Sequence, residues 1–345
     1  MHRRFSRRAL AALGAGAALP FVIPRSSNAP LGRAATPAAI ATPGADPDPD
    51  AVAFGAFVPG APADPATLDR FARQVRRMPA LVSWYEAWGS ADAVTGPRPR
   101  LDLLRTVADR GAAPMITWEP WDPAAGADQP RYRPELVARG DFDAYLRSWA
   151  DDLAAWDGPV FVRMFHEMNA GWYPWGAGID GNEPRHVVDA WRHVRSVFAD
   201  AGAGNVFWVW CPDAGRGEVP LAALYPGDPW VDWVGLDGYN WGDNRPESGW
   251  RSFEEVFADA YAELTALTDR PLMIAETASS EKGGDKAAWI ADAFAALPDR
   301  FPRVRALGWF DEAIPKGDWP VDTSPESLAA FREAIAAPGL QGRLG

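Results

Sequence analysis

The chain has 345 residues, 48 % of them hydrophobic and 23 % charged, enough to enclose one large core or two smaller ones. It carries a formal charge of −12, one cysteine, four histidines and 18 tryptophans. The acidic balance argues against nucleic acid or anionic lipid as a partner, the single Cys211 excludes an intrachain disulfide, and no apolar run reaches the length of a membrane span.

In chain order, residues 1–33 hold six Arg and no Asp or Glu; without them 28 basic residues face 46 acidic ones, a net charge of −18. Ser6-Arg7-Arg8 and the weakly apolar run 9–23 resemble a twin-arginine export signal, so a secreted or periplasmic location is expected. Residues 34–50, rich in Pro, Ala, Asp and Thr, read as a flexible linker. A catalytic domain is expected over 51–338, with a short tail over 339–345.

From residue 51, short apolar or aromatic runs alternate with helical stretches. The strands are predicted at 52–58, 80–88, 114–121, 159–168, 205–212, 230–240, 271–279 and 304–312. Asp64-Pro65 opens the first helix with a cap and a proline at the first helical position. Helical patterns follow over 141–156, 184–202, 252–267, 285–297 and 324–336, with shorter ones near 101–110 and 220–224. Eight strand–helix units in under 300 residues predict a single closed α/β barrel, the (β/α)8 TIM barrel. The competing doubly wound sheet lacks a glycine-rich phosphate turn after the first strand. Long strand-to-helix connections, roughly 122–140, 169–183 and 241–251, put the candidate site at the C-terminal ends of the strands.

Several of those ends carry acids: Glu86, Glu119, Glu167, Asp237 and Glu276, with Asp311 and Glu312 past the last strand. Strand alternation places Arg163, Phe165 and Glu167 on one face, and Leu272, Ile274 and Glu276 on one face. If those faces line the barrel, Glu167 and Glu276 meet across its mouth, a pairing suited to glycoside cleavage. Aromatics crowd the same ends: Trp172, Tyr173 and Trp175 after Glu167, Trp309 on the last strand, and Trp84, Trp88, Trp118, Trp121 and Trp241 elsewhere on the rim. Flat rings stack on the C–H faces of sugars, and so much apolar rim surface marks a binding site. Tyr239 is placed to donate to Glu276, and Arg163 to stabilise its charge or to form a buried ion pair. No metal or cofactor is expected: a helical zinc motif built on His166-Glu167 would need His at position 170, which is Ala170. A catalytically silent carbohydrate-binding barrel and a metal-dependent hydrolase remain the competing functions.

The segments RMFHEMNAGWYPWG, DGYNWG and LMIAETAS resemble those of glycoside hydrolase family 26 over residues 51 to about 338. The resemblance implies a retaining β-glycanase with Glu167 as acid/base and Glu276 as nucleophile. It further implies that Trp172 lines the sugar site, that His166 contacts the sugar or orients the nucleophile, that Tyr239 stands beside the nucleophile, and that Trp309 is the platform under the sugar being cleaved. The implied substrate is a β-linked polysaccharide, β-1,4-mannan or glucomannan first, mixed-linkage β-glucan or β-1,3-xylan as alternatives. Phe310 stands where mannan-active members often carry Arg. A retaining mechanism sets the expected carboxyl separation near 5–5.5 Å.

Overall fold

The computed structural model describes residues 50–344 apart from 90–95, 127, 216, 218, 246 and 316. The expected export signal and all but the last residue of the expected linker lie outside the described residues. Eight parallel strands close into a barrel in sequence order. They are β1 (Ala53–Phe57), β2 (Leu81–Ala87), β3 (Ala113–Glu119), β4 (Val160–Met164), β5 (Val206–Trp210), β6 (Trp233–Asn240), β7 (Leu272–Ser279) and β8 (Val304–Phe310). Pairing of β1 with β8, Ala53 to Ala306 through Phe57 to Phe310, seals the cylinder.

The surrounding helices are α1 (Pro65–Val75), α2 (Leu101–Ala108), α3 (Pro134–Ala138), α4 (Asp143–Ala155), α5 (Pro184–Asp200), α6 (Leu221–Leu224), α7 (Phe253–Leu267), α8 (Lys286–Arg300) and α9 (Pro325–Ala336). Their starts follow from capping chemistry. The Asp64 carboxylate accepts from the Ala66 amide with Pro65 next in line, and Ser252 and Glu255 cap each other reciprocally at α7. Along α1, Leu68, Phe71 and Val75 recur at helical spacing and are the buried face. After α9, the chain returns to β1: the Val52 amide donates to Gly339 O at 2.7 Å and Gly342 N to Val52 O at 3.1 Å.

Two cores result. The small inner one fills the barrel with Ala53, Leu81, Met115, Phe161, Val209 and Met273, among others. The large outer one lies between strands and helices and holds most of the tryptophan. Alternation decides which side chain joins which.

The two strands that carry Glu167 and Glu276 depart from that alternation. β4 ends at Met164, four residues before the predicted end at 168. Phe165 (φ 50°) and Glu167 (φ 53°) then adopt left-handed backbone, a conformation costly for residues with a Cβ. The face-sharing expected of Arg163, Phe165 and Glu167 therefore does not hold: Phe165 joins the outer core, and Glu167 reaches the mouth through the turn, its amide donating to Cys211 O at 2.8 Å. On β7 the expected inward face is also reversed. Leu272 and Ile274 pack in the outer core, and Met273 and Ala275 line the barrel. A bulge corrects the register, since Ile274 pairs with Leu236 while Glu276 pairs with the next residue, Asp237. The extra residue turns Glu276 inward.

Candidate active site

Arg163 is the centre of the barrel mouth. It extends from the inner face of β4 and is fully buried. Its guanidinium donates to Thr117 Oγ1 on β3 at 2.7 Å and to both carboxylate oxygens of Asp237 on β6 at 2.6 and 2.8 Å. A further donor goes to Glu276 Oε1 on β7. A charge in this setting is tolerated only because it is paired and its donors are satisfied.

Glu276 receives two more donors. The Tyr85 hydroxyl donates to Oε1 and the Tyr239 hydroxyl to Oε2. Burial pushes the Glu276 pKa up, but Arg163, His166 and the two tyrosine hydrogen bonds outweigh it and hold the carboxyl at about 2. Burial, with the Glu276 charge beside them, raises the pKa of both tyrosines well above the usual value, so they remain neutral donors. The result is a fixed, ionised carboxylate.

Glu167 faces it, 4 % exposed. The indole of Trp172 donates to its Oε2. Glu167, Asp237 and Glu276 each bring one oxygen within 4.8 Å of the other two. Such a trio could offer oxygen ligands to a cation, but the Arg163 guanidinium already bonds Asp237 and Glu276. His166 Nε2 lies 3.0 Å from the Tyr173 hydroxyl and 4.0 Å from Glu119. Tyr173 stacks on Trp175, with centroids 4.3 Å apart, and Trp175 in turn donates to His166 O at 2.8 Å. These contacts set the turn in which Glu167 sits. A cavity of about 90 Å³ opens beside Glu167 between Trp172, Asp213, Tyr239, Trp241 and Arg245. The Arg245 guanidinium carbon lies 3.2 Å from the Trp241 ring centroid.

The structure thus brings together Arg163, His166, Glu167, Trp172, Tyr239, Trp241 and Glu276. Two expected sugar contacts are elsewhere. Trp118 falls between the inward Thr117 and Glu119, so it points outward, stacking on Trp149 at 4.5 Å and donating to Tyr145 Oη at 3.2 Å. Trp309 falls between the inward Gly308 and Phe310. It packs against Phe331 at 5.2 Å, and its indole donates to Trp319 O at 3.0 Å. Both are fully buried in the helical shell, as are Trp84 and Trp88. The aromatic that β8 offers to the mouth is Phe310, stacked on Phe57 at 4.5 Å and edge-on to Tyr239 at 5.9 Å. Sequence reasoning missed Tyr85, which shares the inward face of β2 with Leu81 and Ser83.

A family model described as Glycosyl hydrolase family 26 matches residues 134–294. Among curated relatives, Endoglucanase H of Acetivibrio thermocellus is 39 % identical over 246 residues, 70 % of this chain and 26 % of that protein. Mannan endo-1,4-beta-mannosidase A and B of Caldalkalibacillus mannanilyticus is 31 % identical over 169 residues, 46 % of this chain and 30 % of that protein. The chain therefore spans about a quarter to a third of the length of these relatives. Among solved structures, the catalytic domain of a Bacillus sp. JAMB-750 GH26 endo-beta-1,4-mannanase superposes with a TM-score of 0.64 over 85 % of this chain and 87 % of that one. At 19 % identity that likeness speaks to the shared barrel.

Proposed function

The chain belongs to glycosyl hydrolase family 26, and from that premise we propose that it is a retaining endo-β-glycanase that cleaves by double displacement. Glu276 attacks the anomeric carbon while Glu167 gives its proton to the leaving glycosidic oxygen. The glycosyl–enzyme ester is then opened by water, which Glu167 deprotonates. Glu276 leaves as the carboxylate it began as. Arg163, Tyr85 and Tyr239 hold that carboxylate ionised and fixed, so reorganisation at attack is small.

The observation that carries this reading is the spacing of the two acids. Their nearest oxygens lie within 4.8 Å, which supports the close pairing of retaining enzymes, whose carboxyl groups stand roughly 5–5.5 Å apart. Trp172, Trp241, Phe310 and Phe57 supply apolar surface around the acids for sugar faces.

For the polymer, three readings have support. The match to Endoglucanase H covers the larger share of the chain, and Phe310 is apolar; both favour a β-glucan. The relatives carrying mannan endo-1,4-beta-mannosidase as their name favour mannan or glucomannan. β-1,3-Xylan is a third candidate through the relative named Beta-1,3-xylanase TXYA. Polymers of this size do not enter cells, which agrees with export directed by the Ser6-Arg7-Arg8 segment. Release of reducing ends is to be measured on lichenan, glucomannan, mannan and β-1,3-xylan for wild type and Glu276→Ala. Turnover by wild type and a loss of at least about 10⁴-fold in the variant is the expected result. A wild-type protein that binds these glycans and hydrolyses none of them is a silent lectin-like barrel instead.

A further inference from the structure

Glu119 ends β3 on the inner face of the barrel and has no part in the double displacement. Its residue is 5 % exposed, so the carboxyl is nearly enclosed. Among the described residues the carboxyl accepts one hydrogen bond, from the Trp121 indole to Oε2 at 2.9 Å. Oε1 points toward His166 Nε2 at 4.0 Å. That gap is too long for a hydrogen bond, and Nε2 already bonds the Tyr173 hydroxyl, so among the described residues Oε1 has no hydrogen-bond partner. Aromatic walls flank the gap: Trp121 lies edge-on to Tyr173 at 5.4 Å, and Tyr85 edge-on to His166 at 6.0 Å.

We propose that Glu119 is a specificity-determining residue: it binds a sugar hydroxyl on the β3 side of the cleft and selects among polymers by where that hydroxyl stands. The inference rests on the glycanase reading and deepens it. No cation is dedicated to Glu119, because Arg163 on β4 is engaged by Asp237 and Glu276. The other titratable groups around it are His166 and Tyr173 beyond β4, Tyr85 on β2 and the Glu276 carboxylate on β7. Burial, with Glu276 adding repulsion and Trp121 and Arg163 opposing, pushes the Glu119 carboxyl up to about 8. At neutral pH it is therefore an acid with a proton to donate, which a sugar oxygen accepts. A site built around such a bond discriminates strongly against a ring whose hydroxyl is misplaced, because the buried group is then left unpaired.

The test uses the full chain and compares Glu119→Ala and Glu119→Gln with wild type. The kcat/KM on lichenan and on glucomannan is followed from pH 5 to 10, and cellotetraose and mannotetraose binding is measured calorimetrically in a Glu276→Ala background. Glu119→Ala is expected to lower kcat/KM roughly 10–100-fold at pH 6, to change the lichenan-to-glucomannan ratio, and to weaken tetraose binding. Glu119→Gln, which keeps a donor, is expected to recover most of that loss and to lack the fall in activity above pH 8 expected of wild type. A folded Glu119→Ala with wild-type kcat/KM, ratio and binding overturns the inference, as does a shared alkaline limb in Glu119→Gln and wild type. If wild type hydrolyses neither polymer, the glycanase reading falls by itself. Tetraose binding then decides Glu119: weakening in the Ala variant upholds its ligand role, and unchanged or absent binding overturns it.

Discussion

Arg163 bonds Thr117, Asp237 and Glu276 with one planar group, and most of the site's electrostatics follows from it. A lysine cannot reproduce that fork. In Arg163→Met, which removes the charge together with the fork, Glu276 should lose its strongest opposition to burial, and its pKa should climb from about 2. The acidic limb of kcat/KM should then move up into the pH 4–6 range, measurable on any hydrolysed glycan. Removing a partner from a buried ion pair also costs about 3–5 kcal/mol, so Tm should drop. Because the folded pKa of Glu276 lies below its ordinary value of 4.5, its contribution to stability is complete above pH 4.5 and lost as pH falls toward 2. Trp309 and Phe310 separate in the same spirit. Trp309→Ala should lower stability by about 3–5 kcal/mol and leave KM of the folded enzyme unchanged. Phe310→Ala should raise KM roughly tenfold, through a lost stacking surface, with a smaller change in Tm.

At the level of elements, the mouth is set by two irregularities, and each is a place to intervene. The bulge on β7 leaves Ala275 O close to β8, where a Cβ on Gly308 would come within 2.6 Å of it. Gly308→Ala should therefore push the bulge, costing about 1–3 kcal/mol in stability and, by misplacing Glu276 by a fraction of an ångström, at least tenfold in kcat. Parallel thermal melts and initial rates check this. Those irregularities also mark the limit of what the chain's pattern discloses. The strands and the Asp64-Pro65 cap were legible, because alternation and an Asp-Pro signal are local. The meeting of Glu167 and Glu276 was legible as chemistry, although the argument from shared faces was not the reason for it: positive φ at Phe165 and Glu167 and the Ala275 bulge bring them together. Trp118 and Trp309 were misplaced because a tryptophan near a strand end suits a sugar platform and a helix interface equally well, and a shift of one residue decides between them. Tyr85 went unseen since a strand interior tyrosine carries no signal of its own.

Across the molecule, closure of β1 on β8 holds residues from β2, β3, β4, β6 and β7 on one rigid ring. The long connections after β3, β4 and β6 rise over that ring and supply Trp121, Trp172 and Trp241. The wide groove of about 450 Å³ lined by Asp69, Ala72, Arg73, Arg76, Arg77 and Met78 lies at the C-terminal end of α1, against the lower end of the barrel, where stability and not chemistry is served. If Glu276 attacks carbon directly, the anomeric configuration of the first product reports on that step. Proton NMR during the first turnovers of a hydrolysed β-glycan, before mutarotation, should show the new reducing end as the β anomer. An α anomer as first product would mean that water, and not Glu276, makes the bond.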